Sequence, residues 1–80
     1  MKMTDSIWIL TVINPENQYP HEYSGRYDGT AWGLKQEIET ACNELGLDVT
    51  EEDINTIQEE LLQEGIYWLD ETYCFEKFSV

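Results

Sequence analysis

The stretch Ala31 to Ile66, AWGLKQEIETACNELGLDVTEEDINTIQEELLQEGI, decides the fold. Leu34, Ile38, Ala41 and Leu45 recur at i, i+4, i+7 and i+11, which puts them on one face of a helix running from about Ala31 to Leu45. Gly46 stands where a left-handed C′ residue belongs, and Leu47 is placed to pack back on Cys42 as in a Schellman motif. A second helix starts at once. Thr50 is its N-cap, Asp53 occupies the capping-box position, and Val49 with Ile54 forms a hydrophobic staple. Ile54, Ile57 and Leu61 make its apolar stripe. Gly65 closes it, with Ile66 placed to contact Leu61.

Outward from this helix pair the composition changes to that of strands. Ser6 to Ile13 is rich in β-branched and aromatic residues and is stopped by Asn14-Pro15. It is apolar on both faces, which predicts a central strand. After a loop over 14–20, His21 to Tyr27 reads as a second strand with Tyr23 and Tyr27 on one face and Glu22, Ser24 and Arg26 on the other. Gly25 inside it signals a bulge or a close approach, and Asp28-Gly29 ends it. Ile66 to Val80 returns to strand composition, as two strands joined near Asp70-Glu71 or as one bent strand. The expected class is therefore α+β: an antiparallel sheet of 3-4 strands with both consecutive helices on one face, ββααββ or ββααβ.

The 80 residues make one domain, 1–80. Three Trp, five Tyr and two Phe supply core material that acidic disordered segments lack. Charge is the outlier: 17 Asp and Glu against 4 Lys and Arg give a net charge of −13, where a small domain usually carries about 2–8. The apolar run Ile7 to Ile13 is too short to cross a bilayer and follows Asp5, so neither a signal peptide nor a membrane span is expected. Cys42 and Cys74 then read as reduced thiols in a cytoplasmic protein.

Catalytic signals are weak. The single histidine, His21, stands beside Pro20 and reads as a solvent-facing residue at a strand start. Ser6, Ser24 and Ser79 have no motif around them, and no P-loop, dinucleotide fingerprint or zinc spacing occurs. Leu47 to Asp53 looks superficially like calcium-loop material but lacks that pattern, and it reads instead as carboxylates in a first helical turn offsetting the positive end of the helix dipole. Asp70, Glu71 and Glu76 carry little metal signal. The chain is expected to bind rather than catalyse, without metal or cofactor.

The acids concentrate on the helices. Glu37, Glu39 and Glu44 lie on the first; Glu51, Glu52, Asp53, Glu59, Glu60 and Glu64 lie on the second, with Lys35 the one base among them. Solvated helix faces usually interleave both signs. Trp8 is expected in the core. Trp32 projects about 160° around its helix from Leu34, away from the apolar stripe, and is a candidate interface anchor. Tyr19 and Tyr23 flank a loop with either role open, while Tyr67, Trp68, Tyr73 and Phe75 read mostly as sheet core. A chain of this length has a diameter of about 30 Å, over which duplex DNA carries roughly 18 phosphate charges.

In size, charge and lack of catalytic motifs the chain resembles the small acidic phage proteins that mimic DNA, among them anti-CRISPR and anti-restriction inhibitors. The resemblance spans the whole chain and rests on no motif, so no family's residues carry over. It implies a basic, Lys/Arg-rich protein partner that normally handles nucleic acid, met through Glu37, Glu39, Glu44, Glu52, Glu59, Glu60 and Trp32. Direct binding to nucleic acid or to a membrane is not expected, and a homodimer is left open. The alternative is an acidic interaction module, such as an immunity protein, antitoxin or regulatory subunit, that uses an aromatic hot spot.

Overall fold

Six elements follow one another in the computed structural model, which describes residues 8–16 and 21–79: β1 (Trp8–Ile13), β2 (His21–Tyr27), α1 (Ala31–Leu45), α2 (Glu51–Glu64), β3 (Ile66–Leu69) and β4 (Tyr73–Ser79). The strands form one antiparallel sheet in the order β2-β1-β4-β3. β1 is central, as its two apolar faces require. Residues 6, 7 and 19, at which a strand start and a loop tyrosine were expected, lie outside the described residues, as does the side chain of His21.

Directly paired residues share a face of the sheet, so the register sorts every strand side chain. Tyr23, Val12, Phe75 and Tyr67 line up across one face. Leu10, Val12 and Phe75 on it are fully buried beneath Leu34, Ile38, Ala41 and Cys42 of α1 and Ile57 and Leu61 of α2. Both helices therefore cover the same face. Full burial of each such aliphatic or aromatic side chain contributes about 1.5–3 kcal/mol.

The helix boundaries follow the capping chemistry. Gly46, at φ 68°, donates to the Asn43 carbonyl at 3.2 Å, and Leu47 donates to that of Cys42 at 2.9 Å. These are the two hydrogen bonds of a Schellman motif. At α2 the Thr50 hydroxyl accepts from the Asp53 N–H at 3.1 Å, and the Asp53 carboxylate accepts from the Thr50 N–H at 3.1 Å. Val49 and Ile54 both pack against the core. Gly65, at φ 80°, closes α2 with a single bond to the Leu61 carbonyl.

Ile66 behaves differently from its reading as a cap contact. Its register with Glu76 and, beyond that, Thr11 turns it to the sheet face away from the helices, where it is 41% exposed. Pairing with β4 overrides the local contact with Leu61. The final segment is two strands, joined by a turn in which Asp70 and Glu71 take φ of 52° and 59° and the Thr72 N–H donates to Leu69. Two successive left-handed residues make the type I′ turn that suits hairpin twist.

Gly25 marks a close approach. A Cβ there would lie 1.8 Å from Glu37 Oε1 and 2.5 Å from the Tyr23 hydroxyl. The bulge lies elsewhere in β2, where the register with β1 shifts between Val12 and Ile13. Cys42 belongs to the core under the helices, whereas Cys74 pairs with Ile13 and Trp68 on the opposite face. The sheet separates the two thiols, and both are free and buried.

Candidate interaction surface

Helical periodicity and burial together place each acidic side chain. On α2, Glu52 and Glu59 project straight away from the core, and Glu51 and Glu64 are also exposed. Glu60 is half-buried on the flank away from α1. α2 is thus the acidic helix, with no basic residue in its last turn.

On α1 the acids stand off the outermost face. Its outermost line is Trp32, Gln36, Thr40 and Asn43, all uncharged and exposed. The glutamates sit to either side of that line: Glu39 half-buried towards α2, Glu37 and Glu44 towards β2. Glu37 is drawn inwards because its Oε1 accepts the hydroxyl of Tyr23 across the gap left by Gly25. Burial, then the Glu37 hydrogen bond and charge, then the charge of Glu44 all push the Tyr23 phenol well above its ordinary pKa. Glu37 is therefore a sheet-facing contact as much as a surface charge.

Trp32 stands where its periodicity placed it, 70% exposed beside the α1 N-terminus. That end is fixed by two contacts. The Thr30 hydroxyl caps Gly33 at 2.9 Å, and Gln58 Nε2 of α2 donates to the Ala31 carbonyl at 2.7 Å. Asp28 Oδ1 in turn accepts from the Thr30 N–H and hydroxyl, which holds its carboxyl below the usual carboxylate range. Leu62, one turn beyond Gln58 on α2, is 49% exposed. The helix pair thus presents an aromatic and an aliphatic side chain at one end, among the acids. Leu62 follows Leu61 directly and so stands about 100° around the helix from the stripe of Ile54, Ile57 and Leu61.

Trp8 is not a core residue. It lies half-buried at one end of the sheet, its ring centroid 6.3 Å from that of Tyr27 and 4.4 Å from Lys77 Nζ. One of the few cations is thereby committed to an aromatic face. A cleft of about 300 Å³ lies between the α1–α2 loop and the β3–β4 hairpin, lined by Leu47, Val49, Tyr67 and Tyr73 with Asp48, Asp53 and Asp70. Its sign suits a cationic side chain, although Asp53 is already engaged in the cap.

Among the described residues no group of three or more His, Cys, Asp or Glu is arranged to hold a metal ion. No described helix is long and apolar enough to cross a membrane. Burial pushes the Cys42 thiol up to about 11, and burial with the nearby Glu76 charge raises that of Cys74. The chain matches no protein-family model, no curated protein and no solved structure.

Proposed function

We propose that the protein is an acidic inhibitor that occupies a basic, nucleic-acid-binding surface of a partner protein as a DNA mimic, without catalytic activity of its own. The observation that carries this reading is charge excess on one layer: nine of the 17 acids lie on α1 and α2, against Lys35 alone. Such a layer raises the local potential and accelerates association with a Lys/Arg-lined channel. The long dimension of the molecule is 42 Å, over which duplex DNA carries about 25 phosphate charges. A net charge of −13 is about half of that, so the mimicry is of a partly neutralised duplex, weaker than the roughly 30 Å diameter implied. The two free thiols support a reducing, cytoplasmic setting.

A second reading, an acidic module with an aromatic hot spot, is favoured by one specific observation: Trp32 is 70% exposed, between neighbours Ala31 and Gly33 whose backbones are both hydrogen-bonded by side chains. The two readings separate in one experiment on a captured partner. Glu52→Lys with Glu59→Lys should abolish the complex under the mimic reading while leaving the far-ultraviolet dichroism intact. Trp32→Ala should cost more than the double reversal under the hot-spot reading. A complex that survives the reversal and about 1 M salt, where the Debye length is about 3 Å, rules mimicry out.

A further inference from the structure

The face of the sheet that the helices leave uncovered is unlike the rest of the molecule. Along its rows the register brings together Arg26, Ile9 and Phe78; then Ser24, Thr11, Glu76 and Ile66; then Ile13, Cys74 and Trp68. Trp68 is 47%, Phe78 45% and Ile66 41% exposed, while Thr11 and Cys74 between them are buried. The three large side chains together expose on the order of 300 Å², a patch size that on a monomer is often functional. Charge is nearly balanced here, with Arg26 against Glu76 and with Glu22 at the bulge near one corner.

We infer that this open sheet face is the interface of a symmetric homodimer, two copies stacking sheet on sheet. Charge selects the occupant. A second copy approaching helix to helix would bring together two layers that each hold nine carboxylates and one lysine, with Glu52 and Glu59 of α2 foremost. In the sheet-to-sheet arrangement the two sheets lie about 10 Å apart and each helix layer adds about 10–12 Å outside its sheet. The acidic layers then stand about 30 Å from each other, several Debye lengths at physiological ionic strength. The face carries one charge of each sign in Arg26 and Glu76, so a second copy stacked on it meets no layer of like charge. Four strands at about 4.8 Å spacing and about 20 Å of length give each face a plan area near 400 Å². Two such faces cover about 800 Å² in plan and more in accessible surface, below the roughly 1,200–2,000 Å² of a standard specific interface and in the range of weak, transient contacts. The dimer is accordingly weak and concentration-dependent, and it leaves the acidic helices free on both outer sides.

Its salt dependence is opposite to that of a complex with a basic partner. Salt screens the residual repulsion between two chains of charge −13 and strengthens the dimer, whereas it weakens any complex held by the acids. Failure of one proposal therefore leaves the other intact. The test is sedimentation equilibrium of the full chain from about 5 to about 500 µM, the range expected of a small interface, in low and high NaCl. The expected result is a rise from 9.4 kDa towards twice that mass, steeper in high salt. Trp68→Glu and Phe78→Ser should each hold the chain monomeric with an unchanged dichroism spectrum, and Trp32→Glu should leave the dimer in place. A monomer at every concentration and salt overturns the inference. So does a dimer that survives Trp68→Glu and Phe78→Ser, which would place the contact at a sheet edge or on the helices.

Discussion

Replacing Gly25 by alanine tests how α1 is seated on the sheet. The new Cβ would stand 1.8 Å from Glu37 Oε1 and 2.5 Å from the Tyr23 hydroxyl, and the atoms it meets are side-chain atoms with no backbone among them. The Glu37 carboxylate can therefore swing into solvent, and what is lost is its hydrogen bond from Tyr23. A hydrogen bond to a charged group contributes about 1.5–3 kcal/mol. Alanine in place of a strand-interior glycine returns about 0.5–1 kcal/mol. The net expectation is a loss of about 1–2 kcal/mol, which in a domain of this size lowers Tm by about 4–8 °C per kcal/mol. Thermal and urea unfolding of Gly25→Ala, Glu37→Ala and the double variant form a double-mutant cycle. In the Glu37→Ala background the contact with Oε1 and the hydrogen bond are both gone and only the Tyr23 hydroxyl, 2.5 Å from the new Cβ, still has to shift, so Gly25→Ala should cost clearly less than in the parent chain. An equal loss in both backgrounds would refute the reasoning and put the strain in the backbone of β2.

Glu71 sits at φ 59° without being glycine or asparagine, so Glu71→Gly should stabilise by about 0.5–1 kcal/mol, read as a higher urea midpoint; a lower midpoint would argue against the type I′ turn. Thr50→Ala removes one half of the capping box and should cost about 1 kcal/mol in the same assay. Self-repulsion among 13 excess negative charges should make Tm rise by several degrees as NaCl increases from about 0.05 to about 0.5 M. The alkaline side has a definite sign. Cys42 is pushed from 9.0 to about 11 by burial, so the folded state keeps its proton where the unfolded state has lost it. Its contribution is complete below about pH 9 and disappears as pH rises to about 11. The urea midpoint should fall across that window, and Cys42→Ala should flatten part of the fall.

Much of this fold was legible because its decisive features are local. Gly46, Thr50, Asp53 and Gly65 set the end of α1 and both ends of α2 through caps that involve neighbours only a few positions away. The two apolar faces of β1 forecast its central place, and Gly25 forecast a close approach. What failed depended on tertiary partners. Ile66 and Trp68 share a strand with Tyr67 and Leu69, and four apolar residues in a row do not say which face is covered. Only the pairing with β4 turns Ile66 and Trp68 to the open face. Glu37 read as a surface charge because its partner, Tyr23, lies 14 positions away on another element. The acids of α1 flank its outer line for the same reason: helical periodicity gives the angle, whereas the positions of β2 and α2 decide what each angle faces.

The central claim is that the acidic helix layer binds a basic nucleic-acid-handling protein in place of DNA. Its most direct test is to immobilise the full chain, pass a bacterial lysate over it, and compare elution by stepped NaCl with elution by duplex DNA. The expected result is a nucleic-acid-binding protein that leaves at moderate salt, is displaced by the duplex, and is not captured by the Glu52→Lys, Glu59→Lys variant. A captured protein that withstands excess duplex and about 1 M salt, yet is lost on Trp32→Ala, would contradict the claim and assign recognition to the aromatic end of the helix pair.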